Sequence, residues 1–337
     1  MGLLIDMIDV GQGDSFLLSI DHSGGEAYVL IDAGLPDAGA KVLDYVTKYA
    51  PTGLDMVIAT HIDNDHVGGL ATILSHAPFK HGAQFLLNVP PAIKNHWTPA
   101  RNTLEKYKGV VSFQKVIEAV DTVKTLSALA NKRGLVISAA LQGNSWTCGD
   151  VELNVLNPTP ARLANAWEES RLDKYMQPGW DAKLVSFAES FSQAPTTSDE
   201  NDASIVIEIT VNGVPKALMT SDAGAAVLKE VTNKSQYSFL KVPHHGSDTG
   251  LDQDLIEQIR PVYAAIPVGE NPHGHPCVEV LDLLQNIGAK TYCSSKTEYC
   301  RKTCTFKGGD VSFPIGKAGH AGWKTIDATQ CKNNAQT

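Results

Sequence analysis

Six consecutive residues, His61-Ile62-Asp63-Asn64-Asp65-His66, limit what this chain can become more than any other part of it. They follow an apolar, β-rich run from Met56 to Thr60 and precede Val67-Gly68-Gly69, after which Leu70, Ile73 and Leu74 have helical spacing. Two imidazoles and two carboxylates are thus delivered at the end of a strand, where burying each of them unpaired is expensive. Grouped around divalent cations, the same side chains escape that cost and become a site. In an extended segment His61, Asp63 and Asp65, at spacing two, share one side, while His66 turns away as the helix begins. Two metals about 3.5–4 Å apart, bridged by a carboxylate, are the usual template for phosphoester hydrolysis. The competing reading of this stretch alone is a solvated acidic loop with two incidental histidines.

The surrounding sequence predicts a scaffold able to hold such a group. Of 337 residues, 43% are apolar and 19% charged, enough for a sizeable core in one large domain or two ordinary ones. Leu3 to Val10, Ser15 to Ile20 and Tyr28 to Asp32 read as strands separated by Gly-containing turns. Asp37 to Ala50 reads as a helix through Val42, Leu43, Val46 and Tyr49, ending at Pro51. Residues 91–133 read as helical and mixed in charge, and residues 159–200 as a polar, turn-rich insertion or cover. Strand-like runs resume at Ser204 to Val211, Ala217 to Thr220, Phe239 to Val242 and Val262 to Val268, with Asn212-Gly213 as a hairpin signal. Asp222, the His244-His245 pair and His275 sit at or beyond the ends of these runs.

Charge and composition exclude other classes. With 28 Lys plus Arg against 37 Asp plus Glu, the net charge is −9, the wrong sign for a protein that coats duplex DNA. No apolar run approaches the length of a membrane span, and the N-terminus lacks a basic, cleavable leader, so a cytoplasmic protein is expected. The six cysteines form no tight pair of the zinc-finger kind and read as reduced thiols. His22, His76, His81 and His96 read as surface or cap residues. Trp97, Trp146, Trp167 and Trp180 read as packing rather than base-stacking platforms, and Lys290, Lys296, Arg301, Lys302 and Lys307 as a basic, solvated face.

His61-x-Asp63-x-Asp65-His66 with Gly68-Gly69 is similar to the HxHxDH signature of the metallo-β-lactamase fold. A wider set of motifs resembles a narrower branch, the hydrolase domain of the competence protein ComEC. It comprises Asp9-Val10-Gly11-Gln12-Gly13-Asp14-Ser15, Ile31-Asp32-Ala33-Gly34, Asn201 to Ser204, Asp222, Val242 to Ser247, and Asn271, Gly274, His275 and Pro276. The resemblance implies an α/β fold, the αββα four-layer sandwich, with an inserted mixed helical and loop region. The hydrolase domain would span residues 1–300, with insertions in 90–200, and residues 301–337 would be a C-terminal extension packed on it or trailing from it.

The same resemblance implies two ions. His61 and Asp63 would be ligands of the first, Asp65 and His66 of the second, Asp222 the bridge, and His244 the remaining ligand of the second. His245 would donate a proton or contact phosphate, and the two histidines are interchangeable at this point. Asp65 would orient the attacking water and take its proton. Asp32, Asn201, Asp202, Ser247 and His275 would support the site or face the substrate, and Asp14 reads as a supporting or capping group. Asp63 and Asn201 or Asp202 stand where the broad superfamily has histidines, which makes the first site richer in oxygen and leaves Zn²⁺ and Mn²⁺ as candidates, the first site weakly filled. The implied activity is a metal-dependent phosphodiesterase or nuclease, with single-stranded DNA among the candidate substrates and no membrane partner. The alternatives are a small-molecule phosphoesterase of the phosphocholine-ester or nucleotide type, or a catalytically weak binding module.

Overall fold

Alternation in the first strands decides the layering. The computed structural model describes residues 2–88, 111–169, 199–233, 235–299 and 308–316. Leu3, Ile5 and Met7 of Gly2–Met7 (β1), Phe16, Leu18 and Ile20 of Phe16–His22 (β2), and Val29 and Ile31 of Gly25–Ile31 (β3) share one buried face. Leu17, Tyr28 and Leu30 point the other way into a second apolar cluster. A sheet that is apolar on both faces needs two coverings. One is a second sheet and the other a helical layer in which Val42 and Val46 of Gly39–Tyr49 and Ile73 and Leu74 of Leu70–His76 are buried.

The first sheet continues in parallel through Leu54–Ala59 (β4), Phe79–Leu87 (β5) and Val136–Ser138 (β6). The second is built from Ser145–Cys148 (β7), Val151–Asn157 (β8), Val206–Val211 (β9), Val214–Met219 (β10), Phe239–Lys241 (β11), Tyr263–Ile266 (β12) and Lys290–Cys293 (β13). Val311–Gly316 (β14) returns to the first sheet. The strand orders are β14-β1-β2-β3-β4-β5-β6 and β13-β12-β11-β10-β9-β8-β7, seven strands each. Helices Ala225–Val231, Gln253–Ile259 and Val278–Asn286 supply Leu228, Ile256 and Leu284 to the apolar cluster of the second sheet. The expected αββα sandwich is the fold found.

Several elements differ from the sequence reading. β5 was not anticipated, because Lys80, His81 and Gly82 interrupt its apolar pattern before Phe85-Leu86-Leu87. Within 90–200, the helix Val111–Lys132 buries Val123, Leu126 and Ala130, and β6, β7 and β8 belong to the two sheets. Residues 89–110 and 170–198, with Pro90, Pro91, Trp97, Pro99 and Trp180, lie outside the described residues. Of the C-terminal segment, residues 311–316 pair antiparallel with β1, Leu3 opposite Ile315 and Asp6 opposite Ser312. Asn212 and Gly213 both take positive φ between β9 and β10, as a two-residue hairpin of this type demands.

Asp6 is the odd residue of β1, buried between the sheet and the helical layer. Burial pushes its carboxyl up to about 6, while Ser312 and Tyr45 pull weakly the other way. A carboxyl raised above its unfolded value contributes stability that is whole below about pH 4 and is lost as the pH rises through about 6. Asp6→Asn is therefore expected to stabilise the protein by roughly 3 kcal/mol at pH 8 and hardly at all at pH 4. Denaturant midpoints at the two pH values check this; equal shifts at both would rule out the raised pKa.

Candidate metal centre

The residues of interest gather where strands of both sheets end. Asp32 follows β3, Thr60 and His61 follow β4, Ser221 and Asp222 follow β10, and the turn Pro243–Gly246 follows β11. Asp14 enters from the loop between β1 and β2. The chain takes unusual backbone conformations here. Asp32, Ser221, His244 and His245 have φ of 56°, 49°, 46° and 52°, which makes four of the six non-glycine residues with positive φ among those described. Such conformations cost about 1–3 kcal/mol each and persist where the surroundings dictate them.

Three buried imidazoles share one arrangement. His66 Nδ1 lies 2.9 Å from Asp32 Oδ2, and a carboxylate can only accept, so the proton sits on Nδ1. Asp32 is itself fixed by Thr60, whose backbone N–H donates to Oδ1 at 2.9 Å and whose hydroxyl donates to Oδ2 at 2.6 Å. His245 Nδ1 donates to the Pro267 carbonyl at 2.8 Å. His61 Nδ1 lies 3.2 Å from the hydroxyls of both Thr60 and Ser221. The opposite nitrogens, Nε2 of His61, His66 and His245, are buried and have no hydrogen-bond partner. A ring anchored through one nitrogen with the other left bare is how a metal-ligating histidine is held.

Carboxylates face these bare nitrogens. Asp222 Oδ2 is 3.4 Å from His66 Nε2 and 3.5 Å from His245 Nε2, and Asp65 Oδ2 is 3.3 Å from His245 Nε2. Asp63 Oδ2 is 3.7 Å from His61 Nε2. These separations exceed the roughly 2.7–2.9 Å of a charge-assisted hydrogen bond. They match the edge of a tetrahedron, about 3.4 Å, whose corners lie 2.0–2.2 Å from a common ion. The donor set therefore fits divalent metal. Asp14 stands behind it, with its carboxylate oxygens 3.8 Å from His66 Nδ1 and 3.4 Å from His245 Nδ1, on the anchored side of both rings.

The electrostatics also call for cations. Burial lowers the His245 pKa, yet Asp222, Asp14 and Asp65 outweigh it and raise the imidazole to about 10. Burial raises Asp222, but His66, His245 and Lys241 hold it well below the ordinary carboxylate range. Five carboxylates (Asp14, Asp32, Asp63, Asp65 and Asp222) lie against these imidazoles, and Lys241 pairs with two of them, Asp14 and Asp222. As metal ligands the imidazoles would be neutral, and two divalent cations would offset the four negative charges then left.

The other sequence candidates lie around this core. His244 is a quarter exposed, its Nε2 3.8 Å from Asp222 Oδ2 and its ring 5.5 Å from that of His275. Burial and the neighbouring histidines push His275 down to about 4. Asn271 ties down its loop, donating to the carbonyls of Gly269 and His275 and accepting from the His275 N–H. Ser247 is buried, its hydroxyl against Thr249 and Asp248. Asp202 accepts from the Gly224 N–H at 3.2 Å, and Asn201 is buried in the same turn. Sequence reasoning missed Lys241, Thr60 and Ser221. The one available signal was a lone lysine in the apolar run just before His244.

The fold is the αββα sandwich that the resemblance to the metallo-β-lactamase fold implies, with the donor set at the ends of strands from both sheets. The model described as "Metallo-beta-lactamase superfamily" matches residues 8–110. The chain resembles ComE operon protein 3 of Bacillus subtilis (strain 168), 28% identical over 301 residues, which are 83% of this chain and 30% of that protein. It thus spans under a third of that relative's length. Similar solved structures include Igni18, a metallo hydrolase from Ignicoccus hospitalis, 12% identical over 92% of this chain and 98% of its own, with a TM-score of 0.45. Another is the metallo-beta-lactamase fold protein YhfI from Bacillus subtilis, 11% identical over 86% of this chain and 96% of its own, with a TM-score of 0.43. Among the described residues no helix is long and apolar enough to cross a membrane.

Proposed function

We propose that this chain is a metal-dependent phosphodiesterase of nuclease type, with single-stranded DNA as the first polymer to test. The observation that carries the metal centre is the set of three imidazoles anchored at Nδ1, whose bare Nε2 atoms meet Asp63, Asp65 and Asp222. His61 and Asp63 would hold one ion and Asp65, His66 and His245 the other, and the resemblance would make Asp222 a ligand common to both. The first group is the poorer in nitrogen, which favours Mn²⁺ or a weakly held Zn²⁺ there. Divalent ions held by these residues would supply charge neutralisation for phosphoryl oxygens and would acidify water at neutral pH.

The protein's own groups do the remainder. Asp65 is a quarter exposed, held ionised by His245 and His66, and accepts the proton of the attacking water. His244, on the open side of the centre, meets the substrate's phosphoryl oxygens. The choice of a phosphodiester rests on the resemblance to the ComEC hydrolase domain.

Metal-stripped protein refilled in turn with Zn²⁺ and Mn²⁺ is expected to hydrolyse bis-p-nitrophenyl phosphate. Asp65→Ala should lower that turnover by about three decades, or about 4 kcal/mol of barrier. Turnover persisting in the metal-stripped sample would sink the reading. Activity on the small diester opens the comparison of single-stranded DNA with RNA and nucleotides.

A further inference from the structure

Among the described residues Lys241 is the one cation buried inside the donor set, on a strand whose other residues, Phe239 and Leu240, are core. Its ammonium has three hydrogens and three acceptors. Nζ is 2.7 Å from Asp14 Oδ2, 3.2 Å from Asp222 Oδ1 and 2.6 Å from the Ser221 carbonyl. Asp14 comes from the first sheet and Asp222 from the second, so the contact spans both layers. Asp14 is tied in turn to the ligand loop, its backbone N–H donating to the Asp65 carbonyl at 3.1 Å. The consequence for Asp222 is directional. With Oδ1 committed to Lys241, only Oδ2 is left to face His66 and His245.

We propose that Lys241 is a positioning residue that aims Asp222 Oδ2 at the metal-binding space and keeps the donor set assembled before metal arrives. This rests on the metal-centre reading above. Net stability alone does not account for the arrangement, because buried ion pairs are often matched or bettered by apolar replacements. A point charge held by three acceptors provides orientation instead. The two effects have opposite signs in a binding experiment. Deleting a nearby positive charge without disturbing Asp222 should tighten binding of a divalent cation, whereas freeing Asp222 to rotate should weaken it.

The test compares Asp14→Asn with the double variant Asp14→Asn/Lys241→Met, in which no unpaired charge is left at position 14. Zn²⁺ and Mn²⁺ are titrated calorimetrically into the metal-stripped full chain. The double variant should bind about 10- to 100-fold more weakly than Asp14→Asn, the usual effect of losing a residue that orients a ligand. Equal or tighter binding overturns the proposal. A second arm needs no variant. In metal-stripped wild type, Lys241 should resist acylation while the half-exposed Lys41 is labelled. Labelling of both at one rate would show that the donor set is not assembled without metal and would also overturn the proposal. Wild type that binds neither metal would count against the metal centre itself, a result distinct from failure of the lysine's role.

Discussion

His245→Ala is expected to lose one of two bound ions and about three decades of phosphodiester hydrolysis, while His244→Ala keeps both ions. The two residues are adjacent and chemically identical, and only the backbone separates their roles. Both take left-handed φ, at 46° and 52°, and the turn sends the two rings different ways. His245 is buried, anchored through Nδ1 to Pro267, with its bare Nε2 within 3.5 Å of both Asp65 and Asp222. His244 is a quarter exposed and lies beside His275. Loss of a ligand removes transition-state stabilisation worth about 4 kcal/mol per three decades of rate. Loss of a substrate contact instead raises KM. Metal content per chain and the split between kcat and KM separate the outcomes. Loss of an ion from His244→Ala, with His245→Ala intact, would reverse the assignment.

The second large effect concerns a residue with no side chain. Gly13 has φ 122°, and a β-carbon placed on it would lie 2.0 Å from the Asp65 carbonyl oxygen. Gly13→Ala must therefore either push the loop before β2 away from the ligand loop or unwind its own backbone conformation. The expected cost is of the order of 3 kcal/mol, from strain at a position that alanine cannot occupy and from the displaced contact. The shift should also break the Asp14 N–H to Asp65 carbonyl bond, so metal affinity falls along with the thermal midpoint. A variant that loses stability but binds metal as tightly as wild type would show that the loop is only structural.

Local features were the legible ones. His61 to His66 announced a site because ligand-type residues are dense there and follow a strand. Asp222 and the His244-His245 pair are more than a hundred residues away in sequence, and only the resemblance tied them to it. Which histidine faces inward depends on two dihedral angles, and residue type does not encode those. Lys241 was illegible for a related reason. A lone lysine in a short strand reads as an exposed edge residue, and its burial is explained only by carboxylates from other elements. β14 was hidden because it is short and contains Pro314, and its partner strand lies at the other end of the sequence.

That pairing sets a waiting time. Asp9 and Asp310, joined by a backbone-to-side-chain bond beside the β1–β14 ladder, are 301 residues apart. At roughly 5–20 residues per second of synthesis, β1 emerges about 15–60 s before its neighbour exists. Through that interval one of its edges can pair with another chain, the hazard of any unpaired apolar strand. An ionised carboxylate within such a strand deters that pairing. Asp6 is in this position, charged while the edge is open and, once the returning strand pairs beside it, buried with its carboxyl pushed up to about 6. The stability that Asp6 costs the finished protein at neutral pH is the counterpart of protection during its assembly.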